Sequence, residues 1–205
     1  MGTLTRPVLR PLALAVLVVL SVTGVAWSVA AETFMYDRQL GIVARASLSH
    51  AAPNVTLARV VRVYVRCYRD RTSFESAYER RSGDSARRVV AYYRGGGDLH
   101  LRRGTCENAH AFIRGRRTVY TAGAYSILLH EALHRQGIRN ERMATCFAID
   151  GVRWGAEWLG SSESKALRAR DLAFTYARLF AHPTYRMGKP DCLALARRKD
   201  WPAFT

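Results

Sequence analysis

Residues 57–68, Leu-Ala-Arg-Val-Val-Arg-Val-Tyr-Val-Arg-Cys-Tyr, place Val61, Val63, Val65 and Cys67 on one face and Arg62, Tyr64 and Arg66 on the other. A period of two predicts a strand with one buried face. Residues 88–94 predict a second strand and residues 98–102 a third, with Gly95-Gly96-Gly97 turning one into the other. Residues 37–55 predict a weak helix closed by a Pro53-Asn54 turn. Thr72-Ser73-Phe74-Glu75 has the form of a capping box and predicts a short helix ending near Arg81. Beyond residue 106 the apolar spacing becomes helical. Residues 107–112 predict a helical turn or more, and Thr118 or Thr121 caps a helix running to about Gln136. The next helix starts at Glu141 and runs through Phe147, Val152, Trp154 and Trp158 to Gly160. Ser162 caps a further one carrying Leu167, Leu172, Phe174, Tyr176, Leu179 and Phe180. His182-Pro183-Thr184-Tyr185 then breaks into an irregular tail that holds Cys192. Strands first and helices afterwards predict an α+β fold, a small antiparallel or mixed sheet packed on a helical core.

The N-terminus changes where that domain is expected to work. Residues 12–30 carry no charge, follow a basic flank at Arg6 and Arg10, and end in Ser28-Val29-Ala30, small residues of the kind a signal peptidase reads. Residues 1–31 are therefore predicted to be a targeting segment, and residues 32–205 a single domain large enough for a sizeable core. The uncharged stretch is also long enough to anchor the chain in a bilayer. Secreted or anchored, the folded part lies outside the cytoplasmic membrane.

The chain has a formal net charge of +16, and apart from Lys165, Lys189 and Lys199 its basic residues are all arginine. They are spread along the chain, with neither a basic stripe interleaved with aromatics nor a nucleic-acid reading motif, which argues against nucleic acid as a partner. An anionic cell-envelope surface would still attract so basic a protein.

Candidate chemistry is concentrated in residues 128–148. His130-Glu131-Ala132-Leu133-His134 sets two imidazoles one helical turn apart on one face, where they can bind one metal ion. Glu131 is rotated off that face, toward a water on the ion. Gly137 is a helix stop, and Asn140 caps a new helix whose first turn carries Glu141, a third ligand. Given the chain's His and Glu content, such a motif arises by chance in roughly one chain in a hundred. Here Leu128, Leu129, Ala132 and Leu133 make the stretch a buried helix, and a carboxylate follows at a workable distance.

The four cysteines, Cys67, Cys106, Cys146 and Cys192, predict two disulfides in an exported chain. Of three pairings, Cys67–Cys106 with Cys146–Cys192 is preferred; it joins the early strands to each other and the metal region to the tail. The alternative makes Cys146 a zinc ligand, but it sits a little under half a turn round the helix from Glu141.

His130-Glu131-x-x-His134 followed by Glu141-x-x-Ala144-Thr145-x-Phe147-Ala148 resembles the gluzincin zinc metallopeptidases, in particular the compact minimal ones. The match covers about twenty residues, and the strand–turn–strand before the helix is similar to that fold's small sheet. The resemblance implies a zincin-like core in which His130, His134 and Glu141 bind Zn2+ and Glu131 is the catalytic base. It implies hydrolysis of a peptide or protein substrate. Position 145 is Thr where the family usually has Asp or Asn; Thr145 takes the place of the residue that orients a ligand histidine. The connection from His134 to Glu141 is short, so the two helices must meet closely. An oxyanion needs a donor besides the metal, and Tyr185, His182 and His110 are the candidates. Residues 98–101 are expected to form the edge strand that holds the substrate backbone. The rival expectation is a non-catalytic cell-envelope binding domain with a basic surface.

Overall fold

The computed structural model describes residues 34–51, 61–93, 95, 97–186 and 188–197. The targeting segment, its anchoring alternative over residues 12–30 and the Pro53-Asn54 turn lie outside the described residues. The elements are β1 (Phe34–Tyr36), α1 (Arg38–Ala51), β2 (Val65–Tyr68), α2 (Arg71–Ser82), β3 (Ala91–Tyr93), β4 (Leu99–Leu101), α3 (Arg103–Ile113), α4 (Val119–Arg135), α5 (Glu141–Trp158), α6 (Glu163–Phe180), a 3-10 turn at Pro183–Tyr185, and α7 (Lys189–Arg197). The fold is α+β, as expected. No helix among the described residues is long and apolar enough to cross a membrane.

The sheet is mixed and ordered β1-β2-β4-β3. β1 and β2 are antiparallel, β2 and β4 parallel, β3 and β4 antiparallel. β4 is thus paired on both sides. The expected edge strand at residues 98–101 is a central one, and among the described residues β1 and β3 are the outer strands. Side-chain alternation divides the sheet into two faces. Val65, Cys67, Ala91, Leu99 and Leu101 join the main helical core, which includes Leu128, Leu129 and Leu133 of α4 and Phe147 of α5. Tyr68, Tyr92 and His100 face the other way, where Phe74 and Tyr78 of α2 close a smaller aromatic cluster. Tyr92 stacks on His100 at 4.4 Å and 6°.

Local chemistry explains where the elements differ from expectation. Of the strand predicted over residues 57–68, the described part, 61–68, is strand only over its last four residues. Upstream, Val61 N–H donates to Gln136 Oε1 (2.8 Å), the Val61 carbonyl accepts from Gln136 Nε2 (3.2 Å), and the Arg62 carbonyl accepts from Arg135 Nε (2.6 Å). Side chains from the end of α4 take the place of a strand partner. α1 lies tight against this segment, because a Cβ at Gly41 would overlap the Val63 carbonyl oxygen. The cap of α2 is Asp70, which accepts from the Ser73 N–H at 2.7 Å, rather than the Thr72–Glu75 box. Glu75 pairs instead with Arg71 and Arg102. Thr118 and Thr121 cap α4 together, each hydroxyl taking the other's N–H. The tail expected to be irregular carries α7.

The disulfides are Cys67–Cys106 and Cys146–Cys192. Cys106 lies on α3, so the first joins a strand to a helix rather than two strands. The second ties α7 to α5, and Cys146 is therefore not a metal ligand. Two such cross-links belong to an oxidising, extracytoplasmic setting.

Candidate metal centre

The centre is built by one helix–turn–helix. α4 ends in a Schellman motif: Ile138 N–H donates to the Leu133 carbonyl (3.1 Å) and Gly137 N–H to the His134 carbonyl (3.0 Å). Gly137 occupies the left-handed region at φ 96°, the position that such a motif requires of glycine. Asn140 then caps α5, its Oδ1 accepting from Met143 N–H at 3.0 Å. Reversal within so few residues brings the first residue of α5, Glu141, back over the last turns of α4.

Three ligand atoms meet there. Glu141 Oε2 lies 3.0 Å from His130 Nε2 and 3.2 Å from His134 Nε2, and the two imidazole nitrogens are 3.0 Å apart. The opposite ring nitrogens are already engaged. His134 Nδ1 donates to the Ile138 carbonyl (2.6 Å), and His130 Nδ1 lies 3.3 Å from Thr145 Oγ1. Each imidazole thus turns its Nε2 to the same point as the carboxylate. Acceptors converging so closely need a cation among them, either a shared proton or a metal ion. Tetrahedral zinc, with bonds of about 2.0–2.1 Å, holds its ligands roughly 3.3–3.4 Å apart, close to the separations found. The His130, His134 and Glu141 group can hold a metal ion.

Electrostatics favour the ligand forms of His130 and Glu141. Burial pushes the His130 imidazole below its ordinary pKa, with Glu141 opposing. The hydrogen bond to His130 holds the Glu141 carboxyl below its usual range, against partial burial. A neutral imidazole beside an ionised carboxylate is what a divalent ion binds.

No family model, curated protein or solved structure matches this chain. What the site does has to be read from its own geometry.

Glu131 is buried at 9% exposure, yet borders the cleft that all three ligands line. Burial first, then the charge of Glu141, push its carboxyl up to about 8, while the backbone N–H of Tyr93 on β3 stabilises the anion. A carboxyl in this range holds or releases a proton near neutrality. The cleft has a volume of about 920 Å³ and runs past the outer strand β3. Tyr185 borders it, its ring 6.1 Å from that of His130, with its phenol raised above the ordinary pKa by burial and by Glu141 and Glu131. His182 stands beside Tyr185 at the exposed rim, 6.0 Å between ring centroids. His110 is not at the site. It lies on α3 with Nε2 2.5 Å from Asp37 Oδ2, and Asp37 in turn caps α1.

Sequence reasoning missed three contributors. The Ile138 carbonyl was foreshadowed by Gly137, since a glycine stop after a helix fixes the next residue's backbone. The Tyr93 N–H and the α2 wall of the cleft, Tyr78 and Arg81, left no local signal.

Proposed function

We propose that the protein is a zinc-dependent peptidase acting outside the cytoplasmic membrane, a member of the gluzincin type that its motif resembles. The observation that carries this reading is the convergence of His130, His134 and Glu141 beside the buried Glu131, in a cleft bordered by the outer strand β3. A zinc ion held by those three residues would supply Lewis acidity, lowering the pKa of a bound water and polarising a carbonyl.

The chain's own groups do the rest. Glu131 takes a proton from the attacking water and delivers it to the leaving amine, and its raised pKa suits both steps. Tyr185, which borders the cleft, offers its phenolic O–H as a hydrogen-bond donor to the oxygen that gains charge. The outer strand β3, whose Tyr93 N–H is already bonded to Glu131, takes the place of the central β4 as the strand beside an extended substrate. Thr145 and the Ile138 carbonyl keep both imidazoles in the binding tautomer.

The test uses the export-processed protein, with metal content and hydrolysis of a mixed peptide pool measured together. The wild type should carry stoichiometric zinc and cleave. His130→Ala should lose both, and Glu131→Gln should keep the metal and lose cleavage. A wild type without bound metal refutes the reading. Stoichiometric metal without cleavage leaves the non-catalytic envelope-binding domain standing.

A further inference from the structure

The cleft does not stop at the metal centre. It curls round the outer strand β3, with His130, Glu131 and His134 of α4 on one side and Tyr78 and Arg81 of α2 on the other. Its charges are segregated. Among the described residues, the acids lining it are Glu131 and Glu141, both at the metal end, while Arg81 and Arg88 line the far end.

Arg81 is held there in an unusual way. Its Nη1 lies 3.1 Å from Nε2 of His100, a side chain only 1% exposed. Burial first, then the charges of Arg81 and Arg66, push His100 down to about 4, so it accepts the hydrogen bond as a neutral ring. Its Nδ1 bonds Tyr68 Oη at 2.8 Å, and Tyr92 stacks on it, so the acceptor cannot move. A neutral acceptor orients a guanidinium without cancelling its charge. Arg81 and Arg88 are the arginines that line the cleft, and among the described residues neither has a carboxylate within ion-pair distance, as holds for most of the chain's arginines. The remaining guanidinium donors of Arg81 form a fork that fits a carboxylate at two points.

We propose that Arg81, with Arg88 lining the same cleft, is its anion subsite, and that its substrates are peptides presenting a carboxylate there. The inference deepens the peptidase reading in naming a substrate class, but the binding it describes does not need turnover. The carboxylate comes from an acidic side chain or from a peptide C-terminus, and the test separates the two.

The probes are hexapeptide pools carrying a neutral dye: one with a single Glu and an amidated end, one with Gln in its place, and the Gln pool with a free C-terminal carboxylate. Binding to metal-loaded Glu131→Gln protein is followed by fluorescence anisotropy. One of the two carboxylate pools should bind about tenfold tighter than the Gln amide pool, and which one does identifies the source. The preference should shrink in Arg81→Gln and in Arg88→Gln and vanish in the double variant, with zinc content unchanged. Arg88→Gln leaves the His100 contact intact, so it reads the charge even if Arg81→Gln loosens the α2 wall. Equal binding of all pools, no binding of any, or a preference that survives in the double variant overturns the subsite. A preference kept by a wild-type protein that cleaves nothing sinks the peptidase reading alone, and cleavage without preference sinks the subsite alone.

Discussion

Thr145 offers the most direct measure of how the metal centre is held. Its hydroxyl is the partner of His130 Nδ1, 3.3 Å away, and the His130 side chain is only 15% exposed. Thr145→Val keeps the shape and removes the acceptor, leaving a nearly buried N–H without a partner. An orphaned donor of this kind costs about 1–3 kcal/mol, and loss of an outer hydrogen bond to a metal ligand typically costs about 10–100-fold in affinity. The contact is long for a hydrogen bond, so the lower end applies: about tenfold weaker zinc binding, or about 1.4 kcal/mol. The reverse substitution, Thr145→Asp, introduces a charge-assisted partner and should tighten zinc by a similar factor. Competition with a chromogenic chelator at fixed pH reads both constants, and thermal unfolding with chelator present checks that the fold is intact. If both variants bind zinc within twofold of wild type, Thr145 does not position His130 and the account of the second ring nitrogen is wrong.

Other expectations follow from the packing. Replacing Cys146 and Cys192 with serine opens a loop spanning 46 residues and should lower stability by about 2–4 kcal/mol in urea unfolding, releasing α7 first in limited proteolysis; an unchanged midpoint would count against the cross-link. Gly123→Ala would drive a Cβ into the ring of Tyr176, so about 1–3 kcal/mol should be lost where α4 meets α6, measured as a fall in Tm. His100 titrates near 4 in the folded chain against an ordinary value of 6.5, so its folded pKa is depressed. Its contribution of about 3 kcal/mol is complete above pH 6.5 and disappears as pH falls toward 4. Urea titrations of wild type and His100→Gln across pH 4–7 should therefore converge at the acid end, and curves that stay parallel would refute that assignment.

The sequence carried the helical half of the molecule well. Thr118, Asn140 and Ser162 stand at the N-caps of α4, α5 and α6, because caps and helical spacing are local signals. The three ligands were legible for the same reason: His130 and His134 share a helix, and Glu141 follows a glycine stop. The sheet was less legible. Alternation located Val65 and Cys67 on a buried face but could not tell that Gln136 and Arg135 would satisfy the backbone upstream of them. Strand order is a long-range property, so the centrality of β4 left no trace in residues 98–101. β1 is a strand of three residues with no alternation to see. His110 looked available as a donor because nothing near it in sequence announces its partner Asp37, 73 positions earlier.

The Schellman turn at Gly137 has a consequence for assembly. The three side chains that can hold an ion all fall between residues 130 and 141, on either side of that turn. Closing so small a loop sacrifices little chain entropy. A metal ion bound there would therefore join the end of α4 to the start of α5 without drawing distant parts of the chain together.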